Sequence, residues 1–524
     1  MRSGFLGTVV SVILVAVVSA AASIGIASPF LVSPPLPVHV VILHTNDMHG
    51  QALPITRGKD LRGGFAALAA AIERERAEVK REGADCLLVD AGDMWVGPPE
   101  GSRTQGEFVS GVMNKMGYDL AEVGNHEFDK GPKKVEELSR WVHFPLLGTN
   151  VKETATGRVP PYLHASITKQ TAHGVTFRFV GLLTSHVREV TVEGATAGLD
   201  IEDESAAVAE ALEVRHPGEL VILVTHCGHE VDRELAVRFQ DRIVAIVGGH
   251  THKALDPPIL VPEITPGVSP PGDAAPVIVV QTGWRTENLG RLDLTIERGR
   301  VVEARERLIP VLPKDGEDPA IKALVDEEAR QCNLLLGVKV GSIAKTLDRG
   351  HGAPSPLGSV TCDALREGAG TDLAFANPHG LRADLQKGDV LLRNLYEVDP
   401  FGNTLVKMTF TGAELRALLE EMCAVAPLES SGLELRFDSK RSEGARIVSV
   451  LVGGAPLDER RTYTLATNNF LAGGGDRYTS FKKGQHPTNG GEVREIVRAY
   501  FEKHKEVLAP PSYETRIVDS AKAR

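Results

Sequence analysis

Short runs of β-branched and leucine residues alternate along this chain with longer stretches of helical periodicity. The apolar runs fall at Val38–Leu43, Leu87–Val89, Leu220–Val224, Ile243–Val247 and Val277–Val280, and their length suits buried strands. Between the first two, Phe65–Arg81 carries Leu68, Ile72 and Val79 on one face and charges elsewhere, with Gly83 as a stop, which predicts an amphipathic helix. Strands and helices in alternation predict a layered α/β domain. The stretch Asp256–Pro276 holds seven prolines and reads as an exposed, non-helical loop. Pro313-Lys314-Asp315-Gly316-Glu317 is a turn, and Pro319 opens a charged helix running to about Asn333, which reads as a linker. Past Gly337, short strands and glycine-rich turns predict a second domain of roughly 180 residues, an ordinary domain size. The expected division is therefore a first domain over 38–310, a linker over 311–336 and a second domain over 337–517. No internal repeat relates the two.

The amino terminus stands apart. After Arg2 no charged side chain appears until Asp47, and Phe5–Ala27 is an apolar, Ala/Val-rich run. A short basic start, an apolar core such as Val9–Val18 and small residues after it read as a secretory signal over 1–27. An uncleaved anchor is the alternative, because the run approaches the length of a bilayer span. If the signal is removed, no stable membrane insertion is expected. Residues 29–37, with four prolines, connect it to the folded part. The expected location is therefore exported: periplasmic, extracellular or cell-surface.

Composition changes the picture in two places. The 524 residues include 58 basic and 69 acidic ones, a net charge of −11, which argues against a protein that grips a nucleic-acid backbone. It leaves room for a small phosphate-bearing substrate, which needs only a locally positive pocket. Five cysteines (Cys86, Cys227, Cys332, Cys362, Cys423) in so long a chain do not make a disulfide scaffold. Cys86 reads as a buried strand cysteine.

The candidate chemistry sits just after the apolar runs or their helices. Asp47-Met48-His49, Gly92-Asp93, Gly124-Asn125-His126-Glu127-Phe128-Asp129, Thr225-His226-Cys227-Gly228-His229 and Gly248-Gly249-His250-Thr251-His252 follow in order. Loops at the carboxyl ends of neighbouring strands converge in an α/β sheet, which is where ligands bind. The donors are nitrogen and oxygen with no paired thiolates, a set suited to Zn, Mn or similar divalent ions. Each cluster alone has a bland explanation: a Gly-Asp is usually a turn, and a lone strand-end His is usually a hydrogen-bonded structural residue. Five in sequence order point to a metal site. A carboxylate shared by two cations, Asp93 above all, would hold them the ~3.5–4 Å apart found in two-metal hydrolases.

This order of motifs resembles the calcineurin-like metallophosphoesterases. Residues 41–50 and 117–129 resemble more narrowly the secreted 5′-nucleotidase, UDP-sugar hydrolase and 2′,3′-cyclic-nucleotide phosphodiesterase family, over about Val38 to Tyr513. The resemblance implies a metallophosphoesterase αββα sandwich followed by an α+β substrate-binding domain. It implies one divalent ion on Asp47, His49, Asp93 and His252, a second on Asp93, Asn125, His226 and His250, and a catalytic dyad of His126 and Asp129. Such ions polarise phosphoryl oxygens and lower the pKa of water, while His126, oriented by Asp129, can keep its proton and stabilise developing charge. In the second domain Asn377-Pro378-His379-Gly380-Leu381-Arg382, Asp399-Pro400-Phe401-Gly402-Asn403 and Asn468–Asp476 resemble the family's substrate segments. They imply Asn377, Arg382, Phe401, Phe470 and Asp476 as substrate contacts, the two phenylalanines stacking on a nucleobase and Asp476 binding ribose hydroxyls. His379 stands where the family has glycine, and the family's arginine before its Leu-Gly helix is replaced by Pro354-Ser355-Pro356, with Arg349 further upstream.

The expectation is an exported phosphohydrolase converting nucleoside 5′-monophosphates to nucleoside and phosphate. A UDP-sugar or 2′,3′-cyclic-nucleotide hydrolase is the neighbouring reading. A nucleotide-binding or adhesive protein without turnover and a nuclease on long DNA are the rivals from other classes. Metal-dependent turnover would exclude the first of these, and the acidic balance disfavours the second.

Overall fold

The computed structural model describes residues 37–262, 275–350 and 352–522. The segment read as a signal lies outside the described residues, as does 263–274 of the proline-rich stretch.

Two six-stranded sheets face one another in the first half of the chain. In the first sheet the order is Arg300–Pro310, Asn288–Glu297, Val38–Thr45, Asp85–Asp90, Leu120–Glu122 and Leu146–Leu147. In the second it is Ile259–Val261, Val277–Val280, Ala245–Gly248, Leu220–His226, Thr176–Leu183 and Ile167–Gln170. The central strands of each sheet run parallel. Side-chain alternation then divides every apolar run between two cores. Val40, Ile42, Leu87, Val89, Ile222, Val224, Val247 and Ile278 fill the space between the sheets. Val41, Leu43 and Leu88 meet the helix Phe65–Glu82 on the outer face. Val221, Leu223 and Ile246 meet Leu235, Ala236 and Phe239 of the helix His229–Phe239 on the other. Burial on both faces is why these strands read as unbroken apolar runs. Each such leucine or isoleucine contributes about 1.5–3 kcal/mol, so a charge at any of them would break a layer. The result is the expected αββα sandwich.

The helix Phe65–Glu82 ends where Gly83 takes a left-handed φ of 71° and returns its N–H to Lys80 and Val79, as the glycine stop predicts. The proline-rich stretch departs from expectation. Ile259–Val261 is a strand, antiparallel to Val277–Val280. It lies at the sheet edge, where flanking prolines forfeit no ladder hydrogen bond. The helix after Pro319 runs to Leu336, capped by Asp318, whose carboxylate accepts from the N–H groups of Ala320 and Ile321. Its Ile321 and Val325 are buried in the core beneath the first sheet, so it is docked rather than free.

Beyond it, a five-stranded sheet runs in the order Glu429–Ser431, Leu373–Ala376, Thr462–Asn468, Thr404–Thr411, Gln485–Glu492. One face, with Phe375, Met408 and Leu465, packs on Leu415, Leu418 and Leu419 of the helix Gly412–Val425. The other, with Ala374, Ala376 and Ala466, lies under the helices Pro356–Ala369 and Val493–His504. Sheets of three and four strands complete this α+β half. All five cysteines are free thiols. Among the described residues no helix is long and apolar enough to cross a membrane.

Candidate metal centre and substrate site

The strands Val38–Thr45, Asp85–Asp90, Leu120–Glu122, Leu220–His226 and Ala245–Gly248 all deliver their carboxyl ends to one edge of the sandwich. Asp47 and His49, two residues apart, would share a face in extended backbone, but with their side chains parallel rather than converging on one point. The chain solves this with left-handed residues: φ is 49° at Asp47, 47° at His49, 58° at Asp93, 82° at His250 and 57° at His252. Non-glycine residues adopt that region rarely, at a cost of about 1–2 kcal/mol each. Five at one site are strain spent on aiming donors.

Asp47, His49, Asp93 and His252 bring one donor atom each to within 4.8 Å of one another. Nε2 of His49 faces Nε2 of His252 at 2.9 Å, and the latter is 3.2 Å from Asp47 Oδ1. Beside them, His226 Nε2 lies 3.1 Å from Asp93 Oδ2, and His250 Nδ1 lies 3.0 Å from Asn125 Oδ1. Asp93 thus borders both groups, and the seven residues form one continuous donor surface.

The surroundings fix which atoms face inward. Nδ1 of His49 pairs with the carbonyl of Val96 at 2.9 Å and Nδ1 of His226 with that of Ala91 at 2.7 Å. A carbonyl only accepts, so each Nδ1 carries a proton and each Nε2 is turned to the cluster. Asp47 Oδ2 accepts from the His250 N–H at 2.9 Å and Asp93 Oδ1 from the His126 N–H at 2.9 Å. Asp47 Oδ1 and His226 Nε2 are buried without a hydrogen-bond partner, which is costly unless something outside the chain meets them. Oxygen and imidazole donors with orphaned lone pairs fit divalent cations.

The charge states agree. Burial would raise the carboxyls of Asp47 and Asp93, but the facing histidines outweigh it and hold both below the usual range. Burial pushes His49 well down, assisted by Arg382, pushes His250 to about 4 and lowers His252, so these rings are neutral and able to donate lone pairs at neutral pH. At His226 burial is overcome by Asp93 and Asp47, which raise it to about 10; a proton and a cation compete for that nitrogen.

His126 Nδ1 is 2.7 Å from Asp129 Oδ2. Burial lowers this imidazole, but Asp129 and Asp93 together raise it above its ordinary value. Its Nε2 lies 3.9 Å from Asp93 Oδ2, at the lip of the donor cluster. Such an imidazole can act as an acid toward a group held by the cluster.

The second half of the chain reaches into the same site. Nη2 of Arg382 is 3.2 Å from His49 Nε2, and the Phe401 ring stacks on His126 with centroids 5.3 Å apart. Lys130 Nζ donates to the Phe401 carbonyl at 3.3 Å. Asn377 and Asp476 do not meet the donor cluster but each other, Nδ2 to Oδ2 at 3.2 Å, and Asn468 donates to Asn377 at 3.0 Å. Phe470 is 9% exposed and belongs to the second half's core, its ring lying against the Gly475 backbone.

Three residues escaped the sequence reading. The buried carboxylate of Glu127 accepts from the N–H groups of Asp93 and Met94 at 2.9 Å each and from Gly124 at 2.7 Å, tying together the two loops that carry Asp93 and Asn125. Trp284 stacks on His252 with centroids 4.7 Å apart and planes 10° apart. Arg285, whose N–H donates to the Asp47 carbonyl at 2.8 Å, lies against that indole. The latter two follow the run Val277–Val280, and the rule that marked the other loops could have marked them.

Residues 40–254 match the family model for calcineurin-like phosphoesterases, and residues 339–483 that for the 5′-nucleotidase C-terminal domain. The chain therefore carries a calcineurin-like phosphoesterase domain followed by a 5′-nucleotidase C-terminal domain, and is a metal-dependent phosphoric ester hydrolase. It is 28% identical to Protein UshA of Yersinia enterocolitica over 513 residues, covering 89% of this chain and 91% of that protein. It is 27% identical to the 5′-nucleotidase of Vibrio cholerae, over 89% of this chain and 91% of that one. Among solved structures, the 5′-nucleotidase precursor from Thermus thermophilus superposes with a TM-score of 0.79 at 27% identity, over 91% of this chain and 99% of the other.

Proposed function

We propose that this protein is an exported two-metal phosphohydrolase that converts nucleoside 5′-monophosphates to nucleoside and phosphate. The observation that carries the reading is the convergence of seven nitrogen and oxygen donors with His126 at their lip and Arg382 and Phe401 arriving from the other half of the chain. The likeness to UshA and 5′-nucleotidases over nine-tenths of both chains supports the nucleotide as substrate. The apolar amino-terminal run supports export.

In this reading Asp47, His49, Asp93 and His252 hold one divalent ion, and Asp93, Asn125, His226 and His250 the other. When bound, such ions polarise phosphoryl oxygens and make water nucleophilic near neutral pH. Everything else is done by the chain. Arg382 presents its fork to the phosphoryl group and neutralises part of its charge. His126, whose hold on its proton Asp129 strengthens, stabilises charge building on the phosphoryl or leaving oxygen when protonated and can return a proton to it. The domain over 38–310 supplies the reaction, the helix-bearing segment 311–336 joins the two, and the domain over 337–517 binds the nucleoside. There Phe401 takes the base, Asn377 and Asp476 take polar groups of the sugar, and Phe470, expected as the second stacking ring, packs in the core behind Gly475 instead.

The test is product analysis by chromatography with AMP, UMP, UDP-glucose and 2′,3′-cyclic AMP, with and without chelator. Chelator-sensitive release of nucleoside and phosphate, strongest from the monophosphates, is the expected result. Preference for UDP-glucose or the cyclic ester would keep the metal site and move the substrate to the neighbouring reading. No turnover with any divalent metal would refute the proposal.

A further inference from the structure

Thr251 stands between two of the expected metal donors, and its hydroxyl is held from outside the donor cluster. It donates to Gln281 Oε1 at 2.9 Å and lies 3.0 Å from His229 Nδ1. A hydroxyl has one proton to give, so with that proton on Gln281 it accepts the N–H of His229. Nε2 of His229 turns the other way, to Glu230 Oε1 at 3.1 Å and Lys253 Nζ at 3.4 Å. Both ring nitrogens are thus engaged away from the donors. The imidazole is a wedge between the helix His229–Phe239 and the turn His250-Thr251-His252. That turn needs a hold. Its φ is 82° at His250 and 57° at His252, a region that non-glycine residues keep only where their surroundings impose it.

The wedge has a fixed mount. Asp232 lies one turn beyond His229 on the same face of the helix. Its Oδ1 accepts from the Thr225 hydroxyl at 2.6 Å, both side chains being buried. Its Oδ2 fills the space in which a Cβ on Gly248 would fall, 2.3 Å away. Thr225 and Gly248 are paired residues of adjacent parallel strands, one leading directly into His226 and the other toward His250. The first turn of the helix is therefore seated on the ends of both strands, and His229 reaches Thr251 from that seat. We propose that His229 is a positioning residue for the metal centre: through Thr251 it sets the turn from which His250 and His252 are aimed. The inference rests on the reading of the donors as a two-cation centre. In that reading His250 serves one cation and His252 the other, so the one hydrogen bond at Thr251 governs a donor of each. Its loss weakens both cations together rather than emptying one site.

Calorimetric titration of the full chain with Mn²⁺, after chelation and dialysis, tests this, with Tm of the metal-free protein beside it. His229→Leu and Thr251→Val remove the hydrogen bond at nearly constant volume, whereas His229→Asn and Thr251→Ser keep a donor or a hydroxyl in its place. The wild type should take up two equivalents. In His229→Leu and Thr251→Val both equivalents should bind about 10–100-fold more weakly, as when a group behind a metal ligand is lost. The two conservative variants should recover most of that affinity. The double variant His229→Leu/Thr251→Val should bind no more weakly than either single variant, because the two residues act through one bond. Wild-type affinity in His229→Leu would overturn the proposal. Loss of one equivalent with the other unchanged would overturn it too, because it would mark His229 as a ligand. A merely structural His229 would lower the metal-free Tm in His229→Leu and leave cation affinity in place, which likewise refutes positioning. Should His229→Leu not fold, Thr251→Val carries the same test. A wild type that takes up fewer than two equivalents would refute the two-cation reading itself, and this inference with it.

Discussion

Replacing Glu127 with Gln changes one atom in a side chain with no solvent exposure, yet it should loosen two of the loops on which the metal donors stand. The carboxylate accepts three backbone N–H bonds: Oε2 from Asp93 and Gly124, Oε1 from Met94. Burial, then the charge of Asp93, pushes Glu127 up to about 7, so at pH 8 it accepts as an anion. A glutamine oxygen can keep the two bonds at the Oε2 position. Its amide nitrogen then faces the Met94 N–H, donor against donor, in a place water does not reach. One charge-assisted bond is lost and two donors are left unpaired, about 2–4 kcal/mol in all. That loss falls on the turn carrying Asp93 and the turn carrying Gly124 and Asn125, so it should surface as cation affinity rather than chemistry. The expected result is a 10–100-fold weaker affinity for the activating metal, with most of kcat recovered at saturating metal. Chelator competition measures the first and a metal titration of turnover the second. Affinity within two-fold of wild type, with Tm within about 1 °C, would show that the Asp93 and Asn125 loops hold their shape without the clamp.

Other perturbations separate the remaining parts. His126→Ala should lower kcat by about 10²–10⁴-fold while metal content after dialysis stays at the wild-type level; loss of metal would mark His126 as a ligand. Arg291→Met should lower Tm by roughly 5–10 °C, because the buried guanidinium bonds Glu75, Glu82 and Asp293, and removing one partner of a buried ion network costs about 3 kcal/mol; a shift under 2 °C by calorimetry would contradict this. Glu429, fully buried and bonded by the Ser355 N–H and hydroxyl, is raised by burial from 4.5 to about 7. The folded state therefore holds its proton more tightly than the unfolded one, and stability falls as pH rises from about 4.5 through 7, by on the order of 3 kcal/mol. Glu429→Gln mimics the protonated form, so urea midpoints of the variant should lose that part of the decline between pH 5 and 8; parallel profiles would refute the assignment.

How much of this could be read in the sequence varied with physical cause. Strands buried on both faces write themselves as unbroken apolar runs, which is why Leu220–Val224 and Val277–Val280 were visible. The order of metal-type residues was visible because each cluster follows such a run or the helix after it. The strand Ile259–Val261 was hidden by its prolines, which signal a loop everywhere except at a sheet edge. Glu127 was hidden because its partners are backbone N–H groups, which every residue has; no spacing records them. Trp284 and Arg285 carry no metal-ligand chemistry, and Arg349 and Arg382, 65 and 98 residues beyond Trp284 in the chain, meet its indole only in the fold. The burial of Phe470 depends on Gly475 folding across its ring, a close approach that flanking glycines equally suggested as openness.

The placement of the arginines bears on how reactivity and selectivity divide between the halves. The first half alone holds every expected metal donor together with His126 and Asp129, so in the proposed mechanism the reaction belongs to it. Yet its cluster is edged by the carboxylates of Asp47, Asp93 and Asp129, which repel a phosphate until cations are bound. Arg382 and Phe401, on the second half, touch His49 and His126 directly, so what that half presents decides which ester meets the acid. Substitution at Phe401 or Arg382 should therefore change which substrates are turned over without changing metal content, whereas substitution at Glu127 should do the reverse. If a Phe401 variant lost metal, the two functions would not be separable, and the second half would be part of the metal centre rather than its selector.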